Sequence, residues 1–360
     1  MSNTSSYIKQ RLSLRKPLAE ALDVLEGLLD KLELVKHPSN NNDEAGEQAY
    51  KAYLKEQLQR VKEVCPYIKD FEREFPSFAF SIATGIGKTR LMGACIAYLY
   101  LTRGIRHFMI LAPNLTLYEK MMRDFGDPSY EKYVFKGLSE FVHCVPSIIT
   151  GDNYNFAHNV FSDTEIQINI FNISKFNSES KEGGKKGKPR MKRLSEFLGQ
   201  SYFEYLSSQK DLVILMDEAH RYHADASKKA INELRPILGL EMTATPTDEK
   251  GKPFKNIVYE YNLAQALADG KYVKIPTVAK RRNFERKNLT DEKLDILKIE
   301  DAISVHEHTK LHLEMYAKNN GLPLVKPFVL IVCKNIQHAK ETLERIENEM
   351  FDGRYAGKVL

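Results

Sequence analysis

Three short segments carry residue types that do chemistry on phosphates. The first is Ala83-Thr84-Gly85-Ile86-Gly87-Lys88-Thr89-Arg90, which follows the apolar run Phe78-Ala79-Phe80-Ser81-Ile82. Gly85 and Gly87 free the backbone to curl, so that several amide hydrogens converge on one point. A helix opening at that point adds its positive end. In such a loop Lys88 reaches the β- and γ-phosphates of a nucleotide and the Thr89 hydroxyl holds Mg²⁺. The common phosphate-loop pattern has a glycine six positions before its lysine. Here Ile82 stands there, so the loop is not of the generic kinase or GTPase kind.

The second segment, Asp217-Glu218-Ala219-His220, begins 129 residues after Lys88 and directly follows Leu212-Val213-Ile214-Leu215-Met216. Five apolar residues in a row predict a strand central in a parallel sheet. Such strands place their active groups at the carboxyl end. A carboxylate there needs a compensating cation, so Asp217 is the expected Mg²⁺-side residue. Glu218 is the candidate base that orients and deprotonates water. His220 would sense the γ-phosphate. The plain alternative is a solvated Asp-Glu pair opening a helix, which explains neither the apolar run nor the upstream loop.

The third segment is Thr243-Ala244-Thr245-Pro246, 26 residues beyond Asp217 and after the strand-like Leu238-Gly239-Leu240-Glu241-Met242. The hydroxyls of Thr243 and Thr245 can couple the acidic turn to a second lobe. A polar strand end with a proline stop is the plain alternative.

These groups need a frame. Strand candidates fall at 78–82, 107–112, 166–171, 212–216 and 238–242, with a weaker one near 142–149. Helical stretches separate them, which predicts βαβ units and an α/β fold with a parallel sheet flanked by helices. Residues 7–35 predict a helix, with Leu22, Leu25, Leu28, Leu29 and Leu32 at threes and fours. Glu47 to Val64 predicts a second one. The expected domains are a helical N-terminal extension over 1–75, an ATP-binding lobe over 76–276, a connector over 277–325, and a further lobe opening at 326–360. A strand is expected at Val329 to Cys333, then a helix on Ile336, Ala339, Leu343, Ile346 and Met350. Val359-Leu360 resembles the opening of another strand.

Lys181 to Arg193 interrupts the first lobe with seven basic residues against Glu182 alone. Gly183, Gly184 and Gly187 predict a loop. It is either a solvated insertion or a tether for a nucleic-acid backbone, in which each neutralised phosphate steepens the salt dependence. Lys185, Lys186, Lys188 and Arg190 are the candidate contacts. His308 and His312 share a helix face, but no matching cage of ligands accompanies them, so a solvated face is favoured.

The three segments together resemble motifs I, II and III of superfamily 2 helicases and translocases. More narrowly, the chain resembles the Res subunit of type III restriction enzymes and their DEAD/DEAH-box relatives. Ile110-Leu111-Ala112-Pro113-Asn114-Leu115-Thr116-Leu117-Tyr118-Glu119-Lys120 looks like motif Ia. Ile168-Asn169-Ile170-Phe171-Asn172-Ile173-Ser174-Lys175-Phe176-Asn177 looks like motif Ib, and Phe328 to Cys333 like the start of motif IV. Tyr261-Asn262-Leu263 followed by Ala264-Gln265-Ala266-Leu267 resembles the stretch leading out of the first lobe. The resemblance implies a RecA-like lobe that binds ATP and Mg²⁺, and a second lobe supplying arginines to the γ-phosphate. It also implies DNA, with RNA as the alternative, across both lobes near Pro113, Asn114 and Lys175, and a separate methyltransferase subunit that recognises sequence. The family's adenine-reading glutamine has Leu18 at its nearest counterpart, in Leu14-Arg15-Lys16-Pro17-Leu18. Counterparts of motifs V and VI and a nuclease domain are not found before Leu360, so a second copy or a further segment would complete the site. The competing readings are a stand-alone helicase in repair or phage defence, and a nucleotide-binding fragment with little turnover.

Composition bounds the rest. A chain of 360 residues with 42% hydrophobic content can bury a sizeable core. Its net charge of +5 is compatible with nucleic acid without demanding it. Cys65, Cys95, Cys144 and Cys333 form no C-x-x-C pair, so reduced thiols in the cytoplasm are expected. The N-terminus resembles no signal peptide, and no apolar run is long enough to span a bilayer.

Overall fold

A computed structural model describes residues 3–38, 44–150, 153, 165–172, 179–182, 185–189, 202–248, 250–275, 277, 281, 282, 284, 285 and 289–359, with backbone alone for 179–182 and 185–189. The chain divides into two units, Met1–Pro276 and Thr277–Leu360.

In the first unit, α1 (Asn3–Arg11), α2 (Lys16–Lys31) and α3 (Glu44–Lys62) precede β1 (Ser77–Ile82) and α4 (Lys88–Arg103). Then come β2 (His107–Ala112), α5 (Leu115–Gly126), α6 (Ser139–His143), β3 (Ser147–Thr150) and β4 (Gln167–Asn172). The short strands β5 (Glu179–Glu182) and β6 (Lys185–Pro189) are followed by α7 (Tyr202–Ser208), β7 (Val213–Asp217), α8 (Asp225–Asn232), β8 (Leu238–Thr243), β9 (Ile257–Tyr261) and α9 (Leu263–Asp269).

Seven strands form one sheet in the order β3-β4-β2-β7-β8-β1-β9, and every pairing in it is parallel. Strand β8 lies between β1, which feeds the glycine loop, and β7, which feeds the acidic turn. This is the expected RecA-like lobe. The strands alternate with period two. Phe78, Phe80, Phe108, Ile110, Val213 and Leu215 face one apolar layer with residues of α1, α2 and α4. Ala79, Met109, Leu111, Ile214 and Met216 face the other, with Leu206, Ile231 and Leu234. Burial on both faces is why these strands read as continuous apolar runs.

The helix expected over 7–35 is two helices. Ser13 adopts a left-handed φ of 48° between them, and Pro17 occupies the first turn of α2, where a missing N–H costs nothing. Leu18, Leu22, Leu25, Leu28 and Leu29 of α2 are buried, each contributing at most about 1.5–3 kcal/mol. The basic loop expected at 181–193 contains β5 and β6, an antiparallel pair with Glu182 opposite Lys185. Only Gly183 and Gly184 separate them in sequence. Strand β9 was not expected as a strand; it runs parallel to β1 at the sheet edge.

The second unit contains α10 (Asp291–Asn320) and α11 (Ile336–Asn348), which share a small core of Ile299, Ile346 and Met350. The strand expected at 329–333 is not formed. A strand needs a neighbour to take its backbone hydrogen bonds, and among the described residues none pairs with it. Phe328, Leu330 and Val332 are exposed. Val359 is also outside any strand. No helix among the described residues is long and apolar enough to cross a membrane.

Gly137 ties the first unit's periphery together. Its φ is 106°, and an added Cβ would lie 2.6 Å from the Arg11 carbonyl oxygen. Gly137→Ala should lower unfolding stability by about 2–4 kcal/mol, from left-handed strain plus overpacking. Urea denaturation of the variant checks this, and an unchanged midpoint would contradict the packing of α1 on this loop.

Candidate nucleotide site

The carboxyl ends of β1, β7 and β8 lie side by side, so the loops leaving them are brought together. Gly85 and Gly87 have φ values of 85° and 119°, which only glycine adopts without strain. Gly87 caps α4, and its carbonyl accepts from the Arg90 and Leu91 amides at 2.9 and 3.1 Å. Thr84 and Gly85 are exposed, while Ala83 and Ile86 are buried beneath them. The Ala83 amide donates to the Tyr261 carbonyl at 2.9 Å, so β9 anchors the base of the loop. Thr89 follows Lys88 in the first turn of α4.

Lys88 crosses to the acidic turn. Its ammonium donates to Glu218 Oε1 at 2.5 Å, with Lys88 11% and Glu218 24% exposed. Residues 130 positions apart thus meet as an ion pair in a half-buried cleft. Glu218 adopts a left-handed backbone, φ 50° and ψ 55°, at the junction of β7 and a short 3₁₀ turn over Ala219–Tyr222. Such a conformation costs a non-glycine residue about 1–3 kcal/mol and is typical of functional turns.

Asp217 ends β7 and is 6% exposed. Its Oδ1 is buried and has no hydrogen-bond partner among the described residues. Burial pushes its pKa up, the Lys88 charge pulls it down, and the neighbouring Glu218 charge pushes it up again. An orphaned buried carboxylate oxygen beside the glycine loop fits a divalent cation. Mg²⁺ typically takes one or two carboxylates and completes its shell with phosphates and water. Asp217 and Thr89 are the residues that would hold it. Among the described residues no group of three or more His, Cys, Asp or Glu side chains forms a cage.

His220 bridges the acidic turn and the third segment. Its Nδ1 lies 3.3 Å from Thr243 Oγ1, 3.2 Å from Thr245 Oγ1 and 3.6 Å from Glu218 Oε2. The Thr243 hydroxyl donates to the Thr245 carbonyl at 3.0 Å and accepts from the Thr245 amide at 3.1 Å. With that proton committed, Nδ1–H is the natural donor to Thr243, which leaves Nε2 as the acceptor. The structure therefore brings Lys88, Asp217, Glu218, His220, Thr243 and Thr245 together.

The other expected site residues make contacts of their own. Arg90 donates to the carbonyls of Tyr133 and Val134 at 3.4 and 3.2 Å, which braces α4. Asn114 caps α5, its Oδ1 accepting from the Leu117 amide at 2.9 Å, and Pro113 is buried beside it. Lys175 and Arg190 lie outside the described residues, as do the side chains of Lys185, Lys186 and Lys188. Arg15 was not expected here. It donates to the Gly85 and Ile86 carbonyls at 2.7 and 3.0 Å, and its guanidinium stands 5.2 Å from the Tyr272 ring centroid. A contact across 70 residues left no local signal in the sequence.

The family model described as "Type III restriction enzyme, res subunit" matches residues 50–248, more than half of the chain. The chain belongs to that family. Its match to the probable type III restriction-modification enzyme HindVIP Res subunit of Haemophilus influenzae is 39% identical over 56 residues, covering 16% of this chain and 11% of that protein. The match to the putative type I restriction enzyme MjaIXP endonuclease subunit of Methanocaldococcus jannaschii is 25% identical over 219 residues, covering 56% of this chain and 19% of that protein. The chain thus spans a fifth or less of the length of these curated relatives. Among solved structures, a nuclease-deletion mutant of the Type ISP restriction-modification enzyme LlaGI, in complex with a DNA substrate mimic, is 13% identical with a TM-score of 0.34, covering 53% of this chain and 18% of that one. The Sulfolobus solfataricus SWI2/SNF2 ATPase core, in complex with dsDNA, is 14% identical with a TM-score of 0.28, covering 60% of this chain and 34% of that one.

His220 offers a direct readout of this geometry. Burial lowers its pKa below 6.5, the Glu218 charge opposes that shift, and the Arg221 and Lys88 charges reinforce it. The unfolded chain therefore takes up the proton first as pH falls. Stability linked to His220 is complete above the unfolded value near 6.5 and is lost as pH falls through it toward the lower folded value. In an NMR titration the His220 imidazole should titrate below 6.5, and Glu218→Gln should lower its midpoint further. A midpoint raised by that substitution would contradict the arrangement.

Proposed function

We propose that this chain carries the ATP-binding lobe of a DNA-directed motor of the Res-subunit kind. The observation that carries the reading is the junction of Lys88 with Glu218 at 2.5 Å, beside the unpartnered buried oxygen of Asp217. A phosphate-loop lysine, a cation-seeking carboxylate and a half-buried second carboxylate at the carboxyl end of one sheet are the parts of a nucleotide hydrolysis site.

In this reading the Gly85–Thr89 backbone cradles the phosphates, and Lys88 exchanges Glu218 for the β- and γ-phosphates. Thr89 and Asp217 would hold Mg²⁺, which would supply charge neutralisation at the phosphates. Glu218, released from Lys88, orients the attacking water and accepts its proton. His220, hydrogen-bonded to Thr243 and Thr245, transmits the state of the γ-phosphate to the third segment. Family membership supports DNA as the target, a methyltransferase subunit as the sequence-recognising partner, and a cytoplasmic setting. The basic hairpin of β5 and β6 is the proposed tether for the DNA backbone.

A second reading has its own support. The guanidiniums of Arg15 and Arg90 are both committed to backbone carbonyls. Neither is free to stabilise transition-state charge, a role worth roughly 10³–10⁵ in rate when an arginine fills it. The isolated chain would then bind nucleotide and turn it over slowly.

Lys88→Ala should abolish binding of Mg-ATP to this chain, and Glu218→Gln should preserve binding while removing hydrolysis. Titration calorimetry and phosphate release, with and without duplex DNA, check both. Retained affinity in Lys88→Ala would sink the phosphate-loop assignment.

Removing residues 181–193 should weaken duplex binding most at low salt and flatten the slope of log affinity against log salt. An unchanged slope in fluorescence anisotropy would remove the hairpin from the interface.

A further inference from the structure

Behind the acidic turn lies a buried polar cluster that the nucleotide chemistry does not use. Glu241 of β8 is fully buried. Its Oε1 accepts from Arg73 Nε at 3.2 Å, Ser77 Oγ at 2.8 Å and Asn256 Nδ2 at 3.2 Å. Its Oε2 lies 2.8 Å from His223 Nε2. Arg73, also buried, reaches further and donates to the Tyr222 carbonyl at 3.1 Å. His223 stacks on Phe254 with ring centroids 3.9 Å apart.

The cluster joins every element that feeds the site. Ser77 opens β1, the strand of the glycine loop. Tyr222 and His223 close the turn that begins with Asp217 and Glu218. Glu241 stands two residues before Thr243. Asn256 precedes β9, whose end anchors Ala83. Strand pairing fixes where the turn leaves β7, at Asp217 opposite Met242. It does not fix where the turn goes next, and Glu218 leaves it in a strained backbone conformation. The far end therefore needs a second anchor, and Arg73 and Glu241 supply it through the Tyr222 carbonyl and His223.

We propose that Glu241 and Arg73 are positioning residues of the nucleotide site: they clamp the far end of the acidic turn to β8 and so hold Asp217 and Glu218 in the geometry that binds Mg-nucleotide. The proposal rests on the nucleotide-site reading above. Neither residue touches the reacting atoms. Outer-shell groups that orient ligands typically change metal affinity about 10–100-fold when altered.

The test compares wild type with Glu241→Gln, Arg73→Lys and Ser77→Ala. Glu241→Gln removes the charge at nearly constant shape. Arg73→Lys keeps a charge but loses the fork that reaches Tyr222, and it serves where Glu241→Gln fails to fold. Ser77→Ala removes a hydrogen bond from the same carboxylate without touching the turn, so it reports a merely structural loss. ATP affinity is measured by calorimetry in Mg²⁺ and in EDTA. Hydrogen exchange over 217–223 is measured without nucleotide.

The Mg²⁺-dependent gain in affinity should fall about tenfold in Glu241→Gln and Arg73→Lys, with affinity in EDTA unchanged. Exchange should quicken over the turn in both, and neither effect should occur in Ser77→Ala. A full Mg²⁺ gain in folded Glu241→Gln or Arg73→Lys overturns the proposal, as does an equal loss in Ser77→Ala. A wild type that binds no ATP, with exchange still quickened in the two variants, overturns the nucleotide reading and leaves the clamp standing. Unchanged exchange removes the clamp.

Discussion

A full negative charge sits inside the first unit, and the elements around it are arranged to keep it there. Burial raises the pKa of Glu241, but the Arg73 charge, then the His223 hydrogen bond and charge, outweigh burial and hold it well below the usual carboxylate range. An uncompensated buried charge costs about 3–5 kcal/mol when one partner is lost. That cost draws segment 71–76, the end of the acidic turn and the approach to β9 toward a single point on β8. The ion pair adds little net stability over an apolar pair of the same shape. What such a pair can contribute is register, since the carboxylate and the Arg73 fork must be satisfied together.

The same economy of charge governs the site in front. Asp217 and Glu218 are adjacent in sequence yet differ in environment. Asp217 is buried, with one oxygen unpartnered, whereas Glu218 is partly open and already holds Lys88. Two neighbouring carboxylates with different surroundings can take different roles, one toward a cation and one toward a proton. The left-handed backbone at Glu218 makes this divergence possible, because a regular continuation of β7 would send successive side chains to opposite faces of the sheet.

Much of this frame was legible in the sequence. Strand β2 falls on 107–112 as expected, and β1, β4, β7 and β8 depart by a residue or so, because burial on both faces writes itself as an unbroken apolar run. Strand β9 was missed: Ile257-Val258-Tyr259-Glu260-Tyr261 lies at the sheet edge, where one exposed face interrupts the run. The break at Ser13 was missed because it rests on one backbone conformation rather than on composition. Residues 329–333 carry the right residue types for a strand and form none. Strand propensity describes fit to a sheet, and it builds nothing where no neighbour pairs. In the site, Lys88, Asp217, Glu218, His220, Thr243 and Thr245 were legible from local patterns. Arg15, Arg73, His223 and Glu241 were not, since their roles exist only through partners brought together by the fold.

Leu18 shows how a departure from a familiar pattern can be absorbed by packing. The position nearest the family's adenine-reading glutamine is buried in the core, and its Cδ1 would lie 3.2 Å from a Cβ added at Gly87. A leucine there cannot hydrogen-bond a base edge. It covers Gly87 of the glycine loop instead, while Arg15, one turn earlier, holds the Gly85 and Ile86 carbonyls. Helix α2 and its cap thus support the glycine loop by shape and by one guanidinium. Any preference among bases must then come from groups other than Leu18.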